Sequence, residues 1–120
     1  MQRLLFICSR NRLRSPTAEQ VFAGPGFETD SAGLAPDADC QLSAEQLEWA
    51  DLVFVMEKQH RTRLRQRFAT QLRGRKVVCL DVPDRYEFMQ PELVTLLEKK
   101  VGQHLRERAK DASQKNRREL

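Results

Sequence analysis

Two short stretches of this chain are apolar without a break: Leu4-Leu5-Phe6-Ile7 and Leu52-Val53-Phe54-Val55-Met56. Both have the length of a strand. Successive side chains of a strand point to opposite faces, so an unbroken apolar run needs cover on both sides. Strands of that kind belong to parallel sheets sandwiched between helices, and the intervening sequence supplies the helices.

Arg3–Cys8 reads as the first strand. Ser15-Pro16 then opens a helix, with serine at the cap and proline at the first helical position, where its missing N–H costs nothing. Ala18, Val21 and Phe22 form its apolar face, and Gly24-Pro25-Gly26 ends it. Glu28–Ala32 is long enough only for a short strand. Ser43 with Gln46 makes a capping box flanked by Leu42 and Leu47, which starts a second helix. Asp51–Met56 is a buried strand. Lys58–Arg73 is a basic amphipathic helix carrying Leu64, Phe68 and Leu72, stopped by Gly74. Lys76–Leu80 is a fourth strand, and Pro91 opens a last helix whose Leu93, Leu97, Val101 and Leu105 recur every four residues. Four strands alternating with helices predict a three-layer, doubly wound α/β domain on a four-stranded parallel sheet.

Charge follows the same segmentation. Ser15 to Glu57 holds nine acids and no Lys or Arg, whereas Lys58 to Leu80 holds eight basic residues and no acid. Arg106 to Leu120 adds six basic and three acidic residues with little apolar content. The expected division is therefore an α/β domain over 1–108 and a basic, flexible tail over 109–120. No stretch is apolar for long enough to cross a membrane, and the N-terminal run is too short for a signal peptide. Cys8, Cys40 and Cys79 are odd in number and widely spaced. That argues against a disulfide framework and a zinc site and fits a reducing cytoplasm.

In open α/β sheets the ligand lies beyond the carboxyl ends of the strands, which points to the loop after Cys8. It reads Cys8-Ser9-Arg10-Asn11-Arg12-Leu13-Arg14-Ser15 and joins the first strand to the first helix. Its consecutive N–H groups can curl around an anion, and the helix N-terminus adds partial positive charge. Cys8 stands at the floor of that cradle, where such a field favours a nucleophilic thiolate. Arg14 can return to grip two phosphate oxygens at once, which lysine could not copy. The Ser15 hydroxyl can donate to the sulfur. Asn11 tolerates a left-handed backbone and can pin the loop by side-chain hydrogen bonds.

Cys-X2-Asn-X2-Arg-Ser-Pro, placed between a strand and a helix, resembles the low-molecular-weight protein tyrosine phosphatases. Further matches run in order: Ala18-Glu19, Asp30-Ser31-Ala32-Gly33, Ala50 to Met56, and Pro83-Asp84-Arg85-Tyr86, which is similar to the family's Asp-Pro-Tyr segment. The resemblance runs from Leu4 to Leu105 and implies two-step phosphomonoester hydrolysis without metal or cofactor. It implies that Cys8 attacks phosphorus while Arg14 and the loop from Ser9 through Arg10, Asn11, Arg12 and Leu13 bind the phosphoryl oxygens. Asp84 would be the general acid and base, with Ser15 supporting the sulfur and Arg12 and Tyr86 flanking an aryl slot. The implied substrate is a phosphotyrosine protein or a small aryl phosphate. Phosphate or sulfate can occupy the loop, and neither a membrane nor nucleic acid is an expected partner.

Four departures bear on tyrosine specificity more than on the chemistry. Leu13 stands where the family often has a second cysteine, Arg10 replaces a glycine and Arg85 a proline. Leu34–Leu42 is short and has no aromatic residue. Asp81 is the competing acid, although it lacks the aromatic residue two positions on. His60, one turn before Leu64, reads as a structural residue, Cys79 as core and Cys40 as a loop thiol. Two other classes stay open. One is an arsenate reductase, which would need relay cysteines where Val82 and Met89 stand. The other is a non-catalytic phosphate- or nucleic-acid-binding module using the basic helix and tail.

Overall fold

A computed structural model of the chain describes residues 1–119, with side chains through Arg108. The tail expected over 109–120 lies outside the described side chains. The elements are β1 (Gln2–Cys8), α1 (Arg14–Phe22), β2 (Phe27–Gly33), α2 (Ala44–Trp49), β3 (Leu52–Val55), α3 (Lys58–Arg67), β4 (Val77–Cys79) and α4 (Pro91–Glu119). The sheet has the order β2-β1-β3-β4, and every strand pair is parallel.

The unbroken apolar runs sort by residue parity into two layers. Leu4, Phe6, Leu52, Phe54 and Met56 pack with Ala18 of α1 and Leu93, Leu97 and Val101 of α4. Leu5, Ile7, Val53 and Val55 face the other way, onto Leu47 of α2 and Leu64 of α3. Phe6 and Phe54 stack across the first layer with ring centroids 5.3 Å apart. Burying each such side chain stabilises the fold by about 1.5–3 kcal/mol.

Two helices differ from their sequence patterns. α1 begins at Arg14, so Ser15 is not its cap and Pro16 falls inside the first turn, where a missing N–H still has no partner to lose. The Ser15 hydroxyl is drawn instead to the Cys8 sulfur, 2.9 Å away. α3 stops at Arg67 rather than Arg73, because Phe68 leaves helical geometry at φ −131°. Phe68 and Leu72 then reach the second layer from a turn. At α2 the capping box forms as the sequence indicates, with Gln46 N–H donating to Ser43 Oγ and Gln46 Oε1 accepting from Ser43 N–H.

Strand order places the carboxyl end of β1 at the switch point of the sheet, since the chain leaves β1 to β2 on one side and returns to β3 on the other. The loop carrying Arg10 and Arg12 opens there.

Candidate active site

The segment from Ser9 to Leu13 turns back over the end of β1. Asn11 takes a left-handed backbone, φ 56°, and its N–H donates to Cys8 Sγ at 3.2 Å. Its side chain is buried and spends both amide hydrogens, on Ser15 Oγ at 3.0 Å and Ser31 Oγ at 2.8 Å. Ser31 in turn donates to the Glu19 carboxylate. Ser15 Oγ lies 2.9 Å from Cys8 Sγ and 3.5 Å from the Ala32 carbonyl, so its hydrogen can turn to the sulfur whenever Cys8 is a thiolate with no proton of its own to donate. An ordered chain of hydrogen bonds, fixed at one end by a carboxylate, thus ends on the sulfur. The motif residues Glu19 and Ser31 belong to this chain, a role that sequence reasoning did not assign.

Gly33 meets the loop closely from β2. A Cβ there would lie 2.6 Å from the Ser9 carbonyl oxygen and 2.7 Å from Ala38 Cβ, so only glycine fits. The following segment is stitched to the loop by Ala35 N–H on Ser9 O at 2.8 Å and Asp39 N–H on Arg10 O at 3.0 Å. Arg10 points outward, its Nε 3.7 Å from Asp37, and so occupies the glycine position without crowding the cradle. Arg12 Nε lies 3.2 Å from Asp39.

Arg14 is buried beneath the loop, held from one side. Its Nη1 donates to Glu57 Oε2 at 2.8 Å and to the Val82 carbonyl at 2.7 Å. Nε and Nη2 have no hydrogen-bond acceptor among the described residues, which leaves that edge of the fork for an anion. Burial works to raise the Glu57 carboxyl, but the hydrogen bond and charge of Arg14, with His60, outweigh it and hold the group below the usual range. Glu57 carries no motif signal beyond ending the apolar run of β3, and sequence reasoning missed it.

His60 is fully buried behind the loop, where Nδ1 accepts the Glu57 N–H at 3.1 Å and Nε2 lies 2.9 Å from Ser9 Oγ. Burial, reinforced by the nearby Arg14 charge, pushes the ring down to about 4 from its ordinary 6.5. An unfolded chain would therefore bind a proton here near pH 6.5 and the folded chain only near 4, so acid favours unfolding through that window. Stability from this ring is full above the higher value and falls by roughly 3 kcal/mol as the pH drops to the lower one. Urea unfolding across this range should show the fall, and His60→Gln should flatten it. An equally steep fall in that variant would remove His60 as the cause.

Cys8, Ser9, Arg10, Arg12, Leu13, Arg14 and Asp84 line one cavity of about 610 Å³. Asp84 is 64% exposed at its mouth, with Oδ1 3.7 Å from Arg14 Nε. Asp81, the competing acid, lies instead in a separate depression with Glu57, Lys58 and Pro83. Tyr86 does not line the cavity either. It packs against the first layer and edges a groove formed with Pro91, Thr95 and Leu96, with the Arg85 guanidinium 5.6 Å above its ring. The apolar flank of α4 takes up the ring that the motif suggested for the aryl slot. Cys40 is exposed, and Cys79 packs partly buried at the edge of the second layer, its thiol donating to Asp81 at 3.5 Å.

No protein-family model and no curated protein matches the sequence. Solved structures do match. The YwlE arginine phosphatase from Geobacillus stearothermophilus is 23% identical, with TM-score 0.70 over 92% of this chain and 97% of that one. The tyrosine phosphatase Wzb from Escherichia coli K30, solved with phosphate, is 23% identical, with TM-score 0.71 over 88% of this chain and 97% of that one. A low-molecular-weight protein tyrosine phosphatase from T. tengcongensis is 26% identical, with TM-score 0.67 over 86% and 99% of the two chains.

Proposed function

From the premise that this chain has the fold of the low-molecular-weight protein tyrosine phosphatases and carries their phosphate-loop motif, we propose that it is a cysteine-dependent phosphomonoester hydrolase of that kind. The observation that carries this reading is the cavity itself. A sulfur that accepts the Asn11 N–H and lies 2.9 Å from the Ser15 hydroxyl stands at its floor, an unspent guanidinium edge at its side and a carboxyl at its mouth.

In the first step the Cys8 thiolate attacks phosphorus in line, forming the S–P bond as the ester P–O bond breaks. The Asp84 carboxylic acid gives its proton to the departing oxygen. Arg14 and the loop N–H groups hold the equatorial oxygens, on which the transferring group carries its charge. Asp84, now a carboxylate, takes a proton from water as that water attacks phosphorus. The S–P bond breaks, inorganic phosphate leaves and the thiolate is restored. The Ser15 hydrogen and the Asn11 N–H make the sulfur a better leaving group in this second step.

We take phosphotyrosine and small aryl phosphates as the substrate class, with Leu13 the apolar part of the slot wall. Three unpaired thiols suit a reducing compartment such as the cytoplasm. The test is turnover of 4-nitrophenyl phosphate by the full chain, with arsenate reduction and RNA binding assayed in parallel. Metal-independent release of phosphate is expected. Arsenate reduction without phosphate release, or RNA binding without turnover, would replace this reading.

A further inference from the structure

Ser9 follows the nucleophile directly and forms part of the cavity wall. Its hydroxyl touches the buried His60 ring, and the ring's second nitrogen decides which of the two donates. Nδ1 accepts the Glu57 N–H at 3.1 Å, so the hydrogen of the neutral imidazole is on Nε2. Nε2 therefore donates to Ser9 Oγ across 2.9 Å. Burial, with the charges of Arg14 and Arg63, keeps the ring in this neutral form and outweighs the Glu57 and Asp84 carboxylates, which favour the charged one. With its oxygen held from behind, the Ser9 hydrogen has no acceptor among the described residues. Because Ser9 lines the cavity, that hydrogen is free to turn to a ligand bound there.

We propose that Ser9 binds the phosphoryl anion through its side chain, donating its hydroxyl hydrogen to a phosphoryl oxygen, and that His60 is the positioning residue that aims it. The proposal rests on the reading of the loop as a phosphate site, yet it concerns a group separate from the backbone cradle and Arg14. It turns a helix-capping histidine into a support for the anion, linking the start of α3 to the floor of the active site.

Two substitutions of His60 separate its two contacts. Asparagine can place a carbonyl oxygen where Nδ1 sits, keeping the bond from Glu57 N–H while leaving Ser9 without a donor. Glutamine reaches the Nε2 position, keeping the donor to Ser9 while giving up the cap. The probe is inorganic phosphate, titrated calorimetrically into the full chain, with aryl phosphate kinetics alongside. Ser9→Ala is expected to weaken phosphate binding about tenfold or more, the usual effect of losing a hydrogen bond to a charged group. Ser9→Thr should restore it. His60→Asn should weaken binding several-fold and His60→Gln should spare it, whatever their thermal midpoints. Ser9→Ala combined with His60→Asn should bind no more weakly than Ser9→Ala alone. In the kinetics the loss should fall on KM more than on kcat.

Wild-type affinity in Ser9→Ala would overturn the proposal, as would failure of the wild type to bind phosphate. Equal losses in the asparagine and glutamine variants would reduce His60 to a structural role and overturn its half of the proposal. Should either fail to fold, the alanine and threonine variants of Ser9 still decide the anion contact. Phosphate affinities that follow this pattern in a protein that does not turn over aryl phosphate would leave the inference standing and remove the hydrolase reading instead.

Discussion

Cys8→Ser is expected to reduce aryl phosphate turnover by more than about a thousandfold while leaving inorganic phosphate bound. A serine hydroxyl holds its proton at neutral pH, and the groups around this position cannot remove it. The Asn11 N–H donates toward Cys8 Sγ and the Ser15 hydroxyl lies within hydrogen-bond distance of it, an arrangement that can stabilise an anion at this position but supplies no base to create one. The binding half of the site does not depend on the sulfur. Arg14 is anchored through Glu57 and the Val82 carbonyl, and the loop is held by Asn11 to Ser31, so both should survive the change. Steady-state turnover and phosphate titration on the same preparation test the two halves together. Turnover above roughly one per cent of wild type would remove Cys8 as the nucleophile.

Asp84→Ala should slow hydrolysis by about 10²–10⁴-fold when the leaving group is poor, and far less when it is good. Phenyl phosphate and 4-nitrophenyl phosphate make the comparison, because a nitrophenolate departs without needing a proton. Asp84 stands at the cavity mouth, where both the leaving oxygen and the incoming water can reach it. Arg14 does not rely on it for position, since the 2.8 Å and 2.7 Å bonds of Nη1 lie on its other side. The leaving-group dependence of the loss therefore reports proton transfer rather than a displaced arginine. Asp81→Ala is the control. Its side chain faces a different depression, beside the Cys79 thiol. A larger, leaving-group-dependent loss in that variant would reassign the acid.

The two variants bracket the proposed cycle, one at the covalent bond and one at the proton. The positive charge at the cavity rim is partly spent within the molecule. Arg10 and Arg12, the basic residues of the cavity rim, sit 3.7 Å and 3.2 Å from Asp37 and Asp39 of the acidic segment. Exposed pairs of this kind stabilise by at most about 1 kcal/mol, so an incoming anion can still compete for either arginine.

What the sequence determined by itself is whatever depends on neighbours along the chain. Unbroken apolar runs in β1 and β3 demanded a sheet covered on both faces, because strand side chains alternate by geometry alone. The spacing from Cys8 to Ser15 demanded a strand, an anion-sized turn and a helix start, and the structure builds that unit with Asn11 left-handed as its residue type allows. Tertiary structure alone decided which distant side chains complete the site. Glu57 reaches Arg14, and His60 reaches Ser9 across 51 positions, because β3 lies beside β1 in the sheet and α3 begins at the same end. No local pattern marks such a meeting, and His60 therefore read as structural filler. The same competition settled Tyr86 and Ser15. An aromatic ring gains more by packing on the apolar flank of α4 than by standing in a polar cavity, and a hydroxyl beside a buried sulfur is more valuable there than at a helix cap. Those preferences are set by burial and by partners, and neither exists until the chain has folded.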